Sequence, residues 1–416
     1  MAGTAAIALS TREKLQHARL ASATLAELST AQKNDLLLRI ANALESQSAK
    51  ILRANEEDLA ASGLSGAMHD RLLLTPERVA EMARAVRDVA ALPDPVNEVL
   101  EEWQRPNGLI IRKVRVPLGV IGIVYESRPN VTVDAATLAL KTGNAVVLRG
   151  GKEAGRSNQV LAEIMAGVSG VPDGAIELLD SSTRESVQDL IRARGLVDVV
   201  IPRGGPALIT HVMENALVPV IETGAGNCHI FVDESADLAM ASRIVLNAKT
   251  QRPSVCNAAE KLLVHSTLAP EFVPQIVTQL LQAGVEVRGD DESRRLDGRV
   301  TPASDEDWGQ EYLRLCIAIR VVSTVDEAIA HINRYSTKHS EAIITADESH
   351  AHKFLRLVDS AAVYWNASTR FTDGGEFGFG AEMGVSTQKL HCRGPFALKE
   401  LTSTKYQIIG SGQVRS

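Results

Sequence analysis

Cys256 is the residue of this sequence with the clearest potential for covalent chemistry. It lies in residues 251–257, QRPSVCN, where its neighbours are a proline and small polar residues. A cysteine that is buried for packing usually sits among apolar residues instead. A nucleophilic thiolate needs a lowered pKa or an adjacent base, and it needs donors that stabilise an oxyanion. Ser254 and Asn257 bring polar groups of this kind, so the segment supports a catalytic thiol and an inert loop thiol about equally.

The other three cysteines show no pairing that would indicate a metal site or a disulfide framework. Cys228 and Cys316 lie in apolar, strand-like segments and are expected in the core, and no role is assigned to Cys392. The sequence contains no CxxC and no paired Cys/His spacing, which is typical of a protein in a reducing compartment. The cysteine content therefore predicts a cytoplasmic protein.

Two turns are suited to phosphate groups. Gly204 and Gly205 lie between a predicted strand and a predicted helix, where backbone amides and a helix N-terminus can bind a pyrophosphate. Arg149 and Lys152 follow another strand, and no acidic residue in 149–152 could bind a ribose 2′-hydroxyl. These cations would suit a 2′-phosphate. Taken alone, the Gly204–Gly205 sequence could equally be a tight connecting turn, and residues 149–152 could equally be a solvated basic loop.

Residues 330–340 form a basic segment that includes His331, Lys338 and His339. The two histidines are eight positions apart and have no third ligand at zinc spacing, so we expect no metal site. A group of His, Arg, Tyr and Lys is better suited to a carboxylate or a phosphate. The segment therefore predicts anion binding.

The elements that must position these residues follow from the hydrophobic pattern. Residues 10–91 have apolar residues at helical spacing, and residues 109–116 predict a hairpin or an edge strand. From residue 119 onward, apolar strands alternate with helical segments, first up to residue 232 and again after Cys256. Such alternation predicts parallel sheets covered on both faces. Two α/β modules with Cys256 between them suggest a ligand cleft at a domain junction.

Charge and length exclude several classes of protein. The 416 residues are enough for two or three domains, and a net charge of −7 disfavours nucleic acid as a partner. No apolar stretch approaches the roughly 20 residues that cross a bilayer. Residues 1–6 lack the basic start and apolar run of a secretory signal, so none is expected.

Taken together, these segments resemble the aldehyde dehydrogenase superfamily, and within it a branch that reduces an acyl phosphate. Residues 325–343 give the most specific match, because they are similar to a signature of that branch. Residues 251–257 resemble its nucleophile peptide, and residues 366–375 resemble its substrate loop. The resemblance covers nearly the whole chain. It implies an α/β fold with a Rossmann-type cofactor domain, an α/β catalytic domain and a small β flap for oligomerisation.

The resemblance also implies domain boundaries. Residues 1–105 and 118–250 would form the NADP-binding domain, with N-terminal helices and a Rossmann-like sheet. Residues 251–385 would form the catalytic domain. The oligomerisation flap would consist of residues 106–117 and 395–416.

By the same resemblance, Cys256 is the nucleophile and Asn130 is the oxyanion-hole asparagine. Arg149 stands where a lysine usually contacts the cofactor ribose. Lys152 takes a position that is often acidic in NAD-preferring members, which favours NADP. Glu311 resembles the carboxylate that holds the nicotinamide ribose.

Two groups of implied roles are less specific. Glu222 resembles the general base of hydrolytic members, but a reductase has no use for an activated water. It is therefore expected to be structural or to contact the cofactor. Arg370, His331, Lys338 and His339 are candidates for binding the phosphate and the α-carboxylate of the substrate.

The activity implied by the resemblance is NADPH-dependent reduction of L-glutamyl 5-phosphate to L-glutamate 5-semialdehyde through a thioester on Cys256, in proline biosynthesis. It implies a homodimer or higher homo-oligomer, and association with glutamate 5-kinase would suit a labile acyl phosphate. Two alternatives stay open. One is an aldehyde-oxidising dehydrogenase of the same superfamily, and the other is a non-catalytic NADP-binding protein that keeps only the fold.

Overall fold

The structure, a computed structural model, describes residues 9–415; residues 1–6, considered above for a secretory signal, lie outside this range. The α-helices are α1 (Thr11–Glu27), α2 (Thr30–Ser46), α3 (Ser48–Ser62), α4 (Gly66–Leu72), α5 (Pro76–Ala91), α6 (Pro129–Lys141), α7 (Gly155–Ala166), α8 (Glu185–Ile191), α9 (Pro206–Asn215), α10 (Leu238–Thr250), α11 (Ala269–Gln282), α12 (Asp291–Leu296), α13 (Val325–Tyr335) and α14 (Glu348–Leu357). The strands are β1 (Val99–Gln104), β2 (Ile110–Pro117), β3 (Val120–Tyr125), β4 (Ala145–Arg149), β5 (Ile176–Leu178), β6 (Val199–Arg203), β7 (Cys228–Val232), β8 (Ala259–His265), β9 (Glu286–Gly289), β10 (Thr301–Pro302), β11 (Cys316–Val322), β12 (Ser340–Ile344), β13 (Ala362–Trp365), β14 (Gly384–Ser386), β15 (Gly394–Phe396) and β16 (Thr402–Ile409).

The chain divides into two compact units. The first runs to Glu222 and also takes in Phe379–Gly384 and the segment from Phe396 onward. The second consists of Thr223–Gly378 and Val385–Pro395. The division falls earlier than residue 250, where the sequence suggested a boundary. The reason is that β7 pairs with β8 and β12 rather than with the strands before it.

The first unit begins with the predicted amphipathic helices, α1 to α5. Their starts are encoded locally: the Ser10 hydroxyl accepts the Glu13 N–H while Glu13 bonds back to the Ser10 N–H, and Ser29 and Gln32 repeat this capping box. Each helix pair then buries an apolar stripe against its neighbour. The helical prediction for residues 10–91 is confirmed.

A four-stranded parallel sheet follows, with the strand order β5–β4–β3–β6. Numbered along the chain, this is the 3-2-1-4 order of a Rossmann-type sheet, which binds ligands outside the carboxyl ends of its strands. All six residues of β3 are buried, as its continuous apolar sequence predicts. Residues 219–221, an apolar run within the alternation expected up to residue 232, form only one bridge, between Val220 and Val200.

The first unit also contains a three-stranded antiparallel sheet in the order β1–β2–β16. Residues 109–116, expected to form a hairpin or an edge strand, lie mostly in β2, which forms a hairpin with β1 but is the central strand of this sheet. It gains its second neighbour from β16, whose residues 402–409 pair with residues 117–110 of β2.

The second unit is built on a seven-stranded parallel sheet, β10–β9–β11–β8–β7–β12–β13. Successive residues of its central strands pack on opposite faces, since Leu262 contacts the core beneath α10 and α11 and Leu263 contacts the core beneath α13 and α14. Every residue of β7, β8 and β12 is buried. No helix within residues 9–415 is both long and apolar enough to span a membrane.

Candidate active site

Cys256 lies on the turn that joins α10 to β8 in the second unit, and its side chain is partly exposed. The other three cysteines are buried: Cys228, Cys316 and Cys392. Burial raises the pKa of the Cys228 thiol well above its ordinary value and that of Cys316 to about 11. These two thiols therefore stay protonated, and Cys256 is the cysteine that a substrate can reach. The predicted core positions of Cys228 and Cys316 are confirmed.

The backbone of the nucleophile turn is held by two segments of the second unit. At Gly226, a methyl group in place of the hydrogen would lie 1.4 Å from the Cys256 carbonyl oxygen, so only glycine allows this approach. The Cys228 thiol donates to the same oxygen over 3.2 Å. On the other side, the Asn257 side chain donates to the Thr372 carbonyl at 3.0 Å, and the Thr369 hydroxyl donates to the Asn257 carbonyl at 2.7 Å.

Two arginines carry positive charge at this turn. The Arg370 Nε donates to Gln251 Oε1 at 2.9 Å, and the Arg370 carbonyl accepts from the Asn257 amide at 3.3 Å. Burial lowers the pKa of Arg370, and the nearby Arg252 guanidinium lowers it further, while the Cys256 thiolate opposes them. The structure therefore brings Arg370 and Arg252 to the nucleophile, and the binding of substrate by Arg370 stays a prediction. Arg252 could have been named from the sequence, because it lies within the nucleophile peptide.

A hydrogen bond links the acidic residue Glu311 to Gly226, which contacts the nucleophile turn. Its Oε1 accepts the Gly226 N–H at 2.7 Å. Burial raises the pKa of its carboxyl group, although that hydrogen bond works in the opposite direction. Glu311 is thus joined to the nucleophile turn through one glycine, and its expected contact with the nicotinamide ribose stays a prediction.

Of the other three residues expected to bind anions, His339 lies near the nucleophile turn. Its Nδ1 is 4.0 Å from the Cys228 sulfur, which donates to the Cys256 carbonyl, and it also contacts the Ser340 hydroxyl at 2.8 Å. The His331 ring is buried against Trp308 and Tyr335, and burial lowers its pKa to about 3, so it is neutral. His331 is therefore not placed as a cationic ligand, and the anion-binding role of His339 stays a prediction.

Lys338 forms an ion pair with Asp359 at 3.4 Å. The same carboxylate also accepts Lys389 at 2.8 Å and Arg393 at 2.9 Å. Three cations share one acidic group, which holds the pKa of Asp359 well below its ordinary value. Lys338 is therefore part of a local ionic cluster on the surface of the second unit.

A cavity of about 630 Å³ opens at the carboxyl edge of the four-stranded sheet in the first unit. Lys152 is exposed on its wall and forms no ion pair within residues 9–415. Lys14 and Arg156 also line it, together with Ser181 and Ser182. These groups can hold a phosphate and a ribose, so the predicted cation at Lys152 fits the adenosine end of a phosphorylated nicotinamide cofactor.

Arg149 has a different environment from Lys152. Its guanidinium donates to the Thr183 carbonyl at 2.7 Å and to the Gly150 carbonyl at 3.1 Å. Burial lowers its pKa despite nearby Asp180. Arg149 thus fixes the loop that follows β5, and it contributes to the cavity mainly by shaping that loop.

The Gly204–Gly205 turn lies between β6 and α9, as predicted. The Gly205 N–H donates to Glu126 Oε1 at 3.0 Å, and a methyl group at Gly204 would lie 2.6 Å from the Glu126 carboxyl carbon. The Glu126 carboxylate therefore already accepts the Gly205 N–H, in the turn where the sequence predicts a pyrophosphate. A cofactor phosphate could bind there only after Glu126 moves.

Asn130 lies exposed in the first turn of α6, and its amide donates to Asp134 Oδ2 at 3.1 Å. Burial raises the pKa of Asp134 to about 6. The remaining N–H of the Asn130 amide can donate to a ligand, which is what an oxyanion donor requires. Glu222, the last residue of the first unit, is partly buried, and burial raises the pKa of its carboxyl group.

Replacing Asp134 by asparagine is expected to remove a pH-dependent part of the stability. The folded pKa of about 6 is above the ordinary value of 3.8, so this proton stabilises the folded state fully below about pH 4 and less as the pH rises through 6. From pH 7 to pH 5 the wild type should gain about 1 kcal/mol of unfolding free energy relative to the variant. Urea unfolding at both pH values measures this difference, with Asp88→Asn as the control, since Asp88 and Asp134 line one small cavity of the first unit. Equal pH dependence in all three proteins would contradict the assignment.

Comparison with known proteins agrees with this arrangement. A model of the aldehyde dehydrogenase family matches residues 4–307, well over half of the chain. The chain therefore belongs to the aldehyde dehydrogenase family, and the predicted fold is confirmed. Members of this family use a nicotinamide cofactor.

Relatives of high sequence identity narrow the assignment within this family. The gamma-glutamyl phosphate reductase of Koribacter versatilis is 68% identical over 409 residues, covering 98% of this chain and 100% of the relative. That of Moorella thermoacetica is 57% identical over 415 residues, covering 98% and 99%. The crystal structure of the enzyme from Thermotoga maritima has a TM-score of 0.96 at 50% identity, covering 98% and 100%. Within the aldehyde dehydrogenase family, the chain belongs with the gamma-glutamyl phosphate reductases.

Proposed function

We propose that this chain reduces L-glutamyl 5-phosphate to L-glutamate 5-semialdehyde and phosphate, the second step of proline biosynthesis from glutamate. The observation that carries this proposal is the partly exposed Cys256 on a fixed turn beside Arg252 and Arg370. It occurs in a chain that matches gamma-glutamyl phosphate reductases over nearly its whole length.

The Cys256 thiolate attacks the acyl carbon of the acyl phosphate. A carbon–sulfur bond forms, the carbon–oxygen bond to phosphate breaks, and phosphate leaves with the electron pair. Arg252 and Arg370 provide positive charge that favours both the binding of the phosphate and its departure. NADPH, when bound, supplies the hydride that reduces the resulting thioester. The Cys256 thiolate then leaves as the carbonyl of the semialdehyde re-forms.

Two further residues are assigned by the family resemblance. Asn130 and the backbone amide of Cys256 are proposed to stabilise the oxyanion. Glu222 is proposed to be structural or to contact the cofactor rather than to activate water. Hydrolysis of the thioester would waste the acyl phosphate without producing the semialdehyde.

The proposed cofactor is NADPH rather than NADH. What supports this preference is the cation at Lys152, exposed on the wall of the cavity and without an ion-pair partner in residues 9–415. NADH lacks the 2′-phosphate that would neutralise this charge.

Lys152→Ala is expected to raise the KM for NADPH by about tenfold while changing the KM for NADH less than twofold, because one charge-assisted contact is lost. Steady-state kinetics with both cofactors measure the ratio. Lys399→Ala is a matched control, because Lys399 is an exposed lysine of the same unit that does not line this cavity. An equal rise for both cofactors would place Lys152 away from the 2′-phosphate.

The reaction itself is tested in reverse, with purified enzyme, L-glutamate 5-semialdehyde and NADP⁺. The proposal expects NADP⁺ reduction that depends on added inorganic phosphate. Reduction at the same rate without phosphate would instead identify an aldehyde-oxidising dehydrogenase. No reduction under either condition would leave only a cofactor-binding protein.

We also propose that the three-stranded sheet of β1, β2 and β16 forms a homodimer contact. Trp103, Tyr406 and Ile408 are large apolar residues exposed on this sheet, and the Trp103 and Tyr406 rings pack edge to face at 6.2 Å. Association with glutamate 5-kinase is a separate proposal, supported by the lability of the acyl phosphate.

A further inference from the structure

The second and third residues of strand β8, Glu260 and Lys261, are charged, and their side chains are fully buried. In the ladder with β7, Cys228 pairs with Ala259 but His229 pairs with Lys261, so Glu260 is an extra residue. On its other side, β8 pairs with β11 only from Lys261 onward. This is a β-bulge, and bulges beside active sites change the direction in which side chains point.

Glu260 forms an ion pair that closes the nucleophile turn at its base. Its Oε2 accepts Lys249 Nζ at 3.1 Å, and both side chains are fully buried. Lys249 lies in the last turn of α10, and Glu260 is the second residue of β8. The turn that carries Cys256 is therefore held at both ends by one buried pair.

The same two residues of the bulge also hold the segment that carries Glu311. Lys261 Nζ donates to the Gln310 carbonyl at 2.7 Å and lies 4.3 Å from the centre of the Tyr312 ring. Glu260 Oε1 accepts the Leu313 N–H at 3.3 Å. Leu313 has a φ of 54°, which L residues rarely adopt, so surrounding contacts must maintain this backbone.

Residues 310–313 in turn reach the nucleophile. The carboxylate of Glu311 accepts the Gly226 N–H at 2.7 Å, and Gly226 lies directly against the Cys256 carbonyl. The contacts therefore form a closed circuit: from Glu260 and Lys261 to residues 310–313, from Glu311 to Gly226, and from Gly226 back to Cys256.

Stability alone does not account for these charges. The next three residues of β8 are Leu262, Leu263 and Val264, which shows what this interior favours. Buried ion pairs are often no better for stability than apolar residues of the same size, whereas they can fix one arrangement among several.

We propose that Glu260 and Lys261 are positioning residues for the Cys256 nucleophile. They fix the base of its turn and, through residues 310–313, the contact of Gly226 with its carbonyl. This inference rests on the proposed function only where turnover is the readout, because the placement of the thiol is a property of the chain itself.

The test compares Glu260→Gln and Lys261→Met with the wild type in two assays. The first is the rate at which iodoacetamide alkylates Cys256 in the protein without substrate, with Cys256→Ser as the blank. The second is kcat and KM for phosphate-dependent NADP⁺ reduction. We expect kcat to fall by about tenfold or more and the alkylation rate to change by about threefold or more, because small displacements of a reacting group have large kinetic effects.

The remaining readouts separate positioning from general stability. The KM for the semialdehyde is expected to stay within about threefold, because substrate contacts are not removed. Lys261→Arg should retain most of kcat, since arginine can also donate to the Gln310 carbonyl and stack on Tyr312. Asp297→Asn is the matched control, because that buried carboxylate of the second unit pairs with Arg299 at the end of α12. It should leave both assays unchanged.

The proposal is overturned if Glu260→Gln and Lys261→Met lose thermal stability but keep the alkylation rate and kcat within twofold of the wild type. If Glu260→Gln does not fold, Lys249→Met/Glu260→Met removes both charges and is judged by the same two criteria. If the wild type shows no phosphate-dependent turnover, the proposed function fails. The alkylation rates of the variants then decide the positioning role on their own.

Discussion

Cys256→Ser is expected to lower kcat by about 10⁴-fold or more, because loss of a covalent nucleophile leaves only binding and oxyanion stabilisation. A serine hydroxyl is not ionised near neutral pH, so it attacks an acyl carbon only where a base takes its proton. His339 is fully buried and bonded to Ser340, and His331 is neutral and enclosed by aromatic rings. The variant should therefore bind the cofactor but not form a thioester.

The measurement is phosphate-dependent NADP⁺ reduction together with thermal unfolding of the same preparation. Cys392→Ser is the control, because Cys392 is a buried cysteine with no assigned chemical role. It should stay within a fewfold of the wild type. A folded Cys256→Ser protein with near-normal turnover would contradict the covalent mechanism.

Gly226→Ala is expected to have the second largest effect, although residue 226 has no side chain and no chemical role of its own. Its new methyl group would lie 1.4 Å from the Cys256 carbonyl oxygen and 2.3 Å from the carbonyl carbon. Neither atom belongs to a flexible side chain, so the backbone of the nucleophile must move. We expect kcat to fall by about 100-fold, the cost of a displacement of about 1 Å at a reacting group.

The same substitution should also lower the unfolding free energy by about 1–3 kcal/mol, as overpacking of an interior usually does. Gly298→Ala is a matched control in the second unit, since a methyl group there would meet open space. Kinetics and urea unfolding on both variants separate the two effects. A Gly226→Ala enzyme with the kcat of Gly298→Ala would show that the turn tolerates displacement.

Local sequence patterns were enough to predict most of the elements. The apolar strands β3, β8 and β12, the helices α1 to α5, and the turn that carries Cys256 all follow from periodicity and from capping residues. The pairing of β2 with β16 has no local signal, because the two strands lie almost 300 positions apart. Only the family resemblance, which places residues 106–117 and 395–416 in one flap, indicates it. Residues 219–221 are apolar, as the alternation expected up to residue 232 requires, but only Val220 finds a strand partner.

Site residues could be predicted where their role depends on the type of side chain. They could not be predicted where the role depends on contacts with distant parts of the chain. Cys256 and Arg370 could be named from the sequence, and the structure brings them together. His331 has the composition of an anion ligand, yet three aromatic neighbours bury it: Trp308, Tyr335 and His229. Gly226 and Glu260 were missed because a glycine contact and a β-bulge are defined by partners far away in the chain.

The pairing of β2 with β16 has a consequence for how this protein is made. On the ribosome, β2 emerges early with β1 as its only neighbour, and its other edge stays open until residues 402–409 are synthesised. An unpaired strand edge with apolar residues can pair with other chains. We therefore expect newly synthesised chains to be most prone to aggregation just before synthesis ends, and variants truncated after residue 395 to retain this vulnerability permanently.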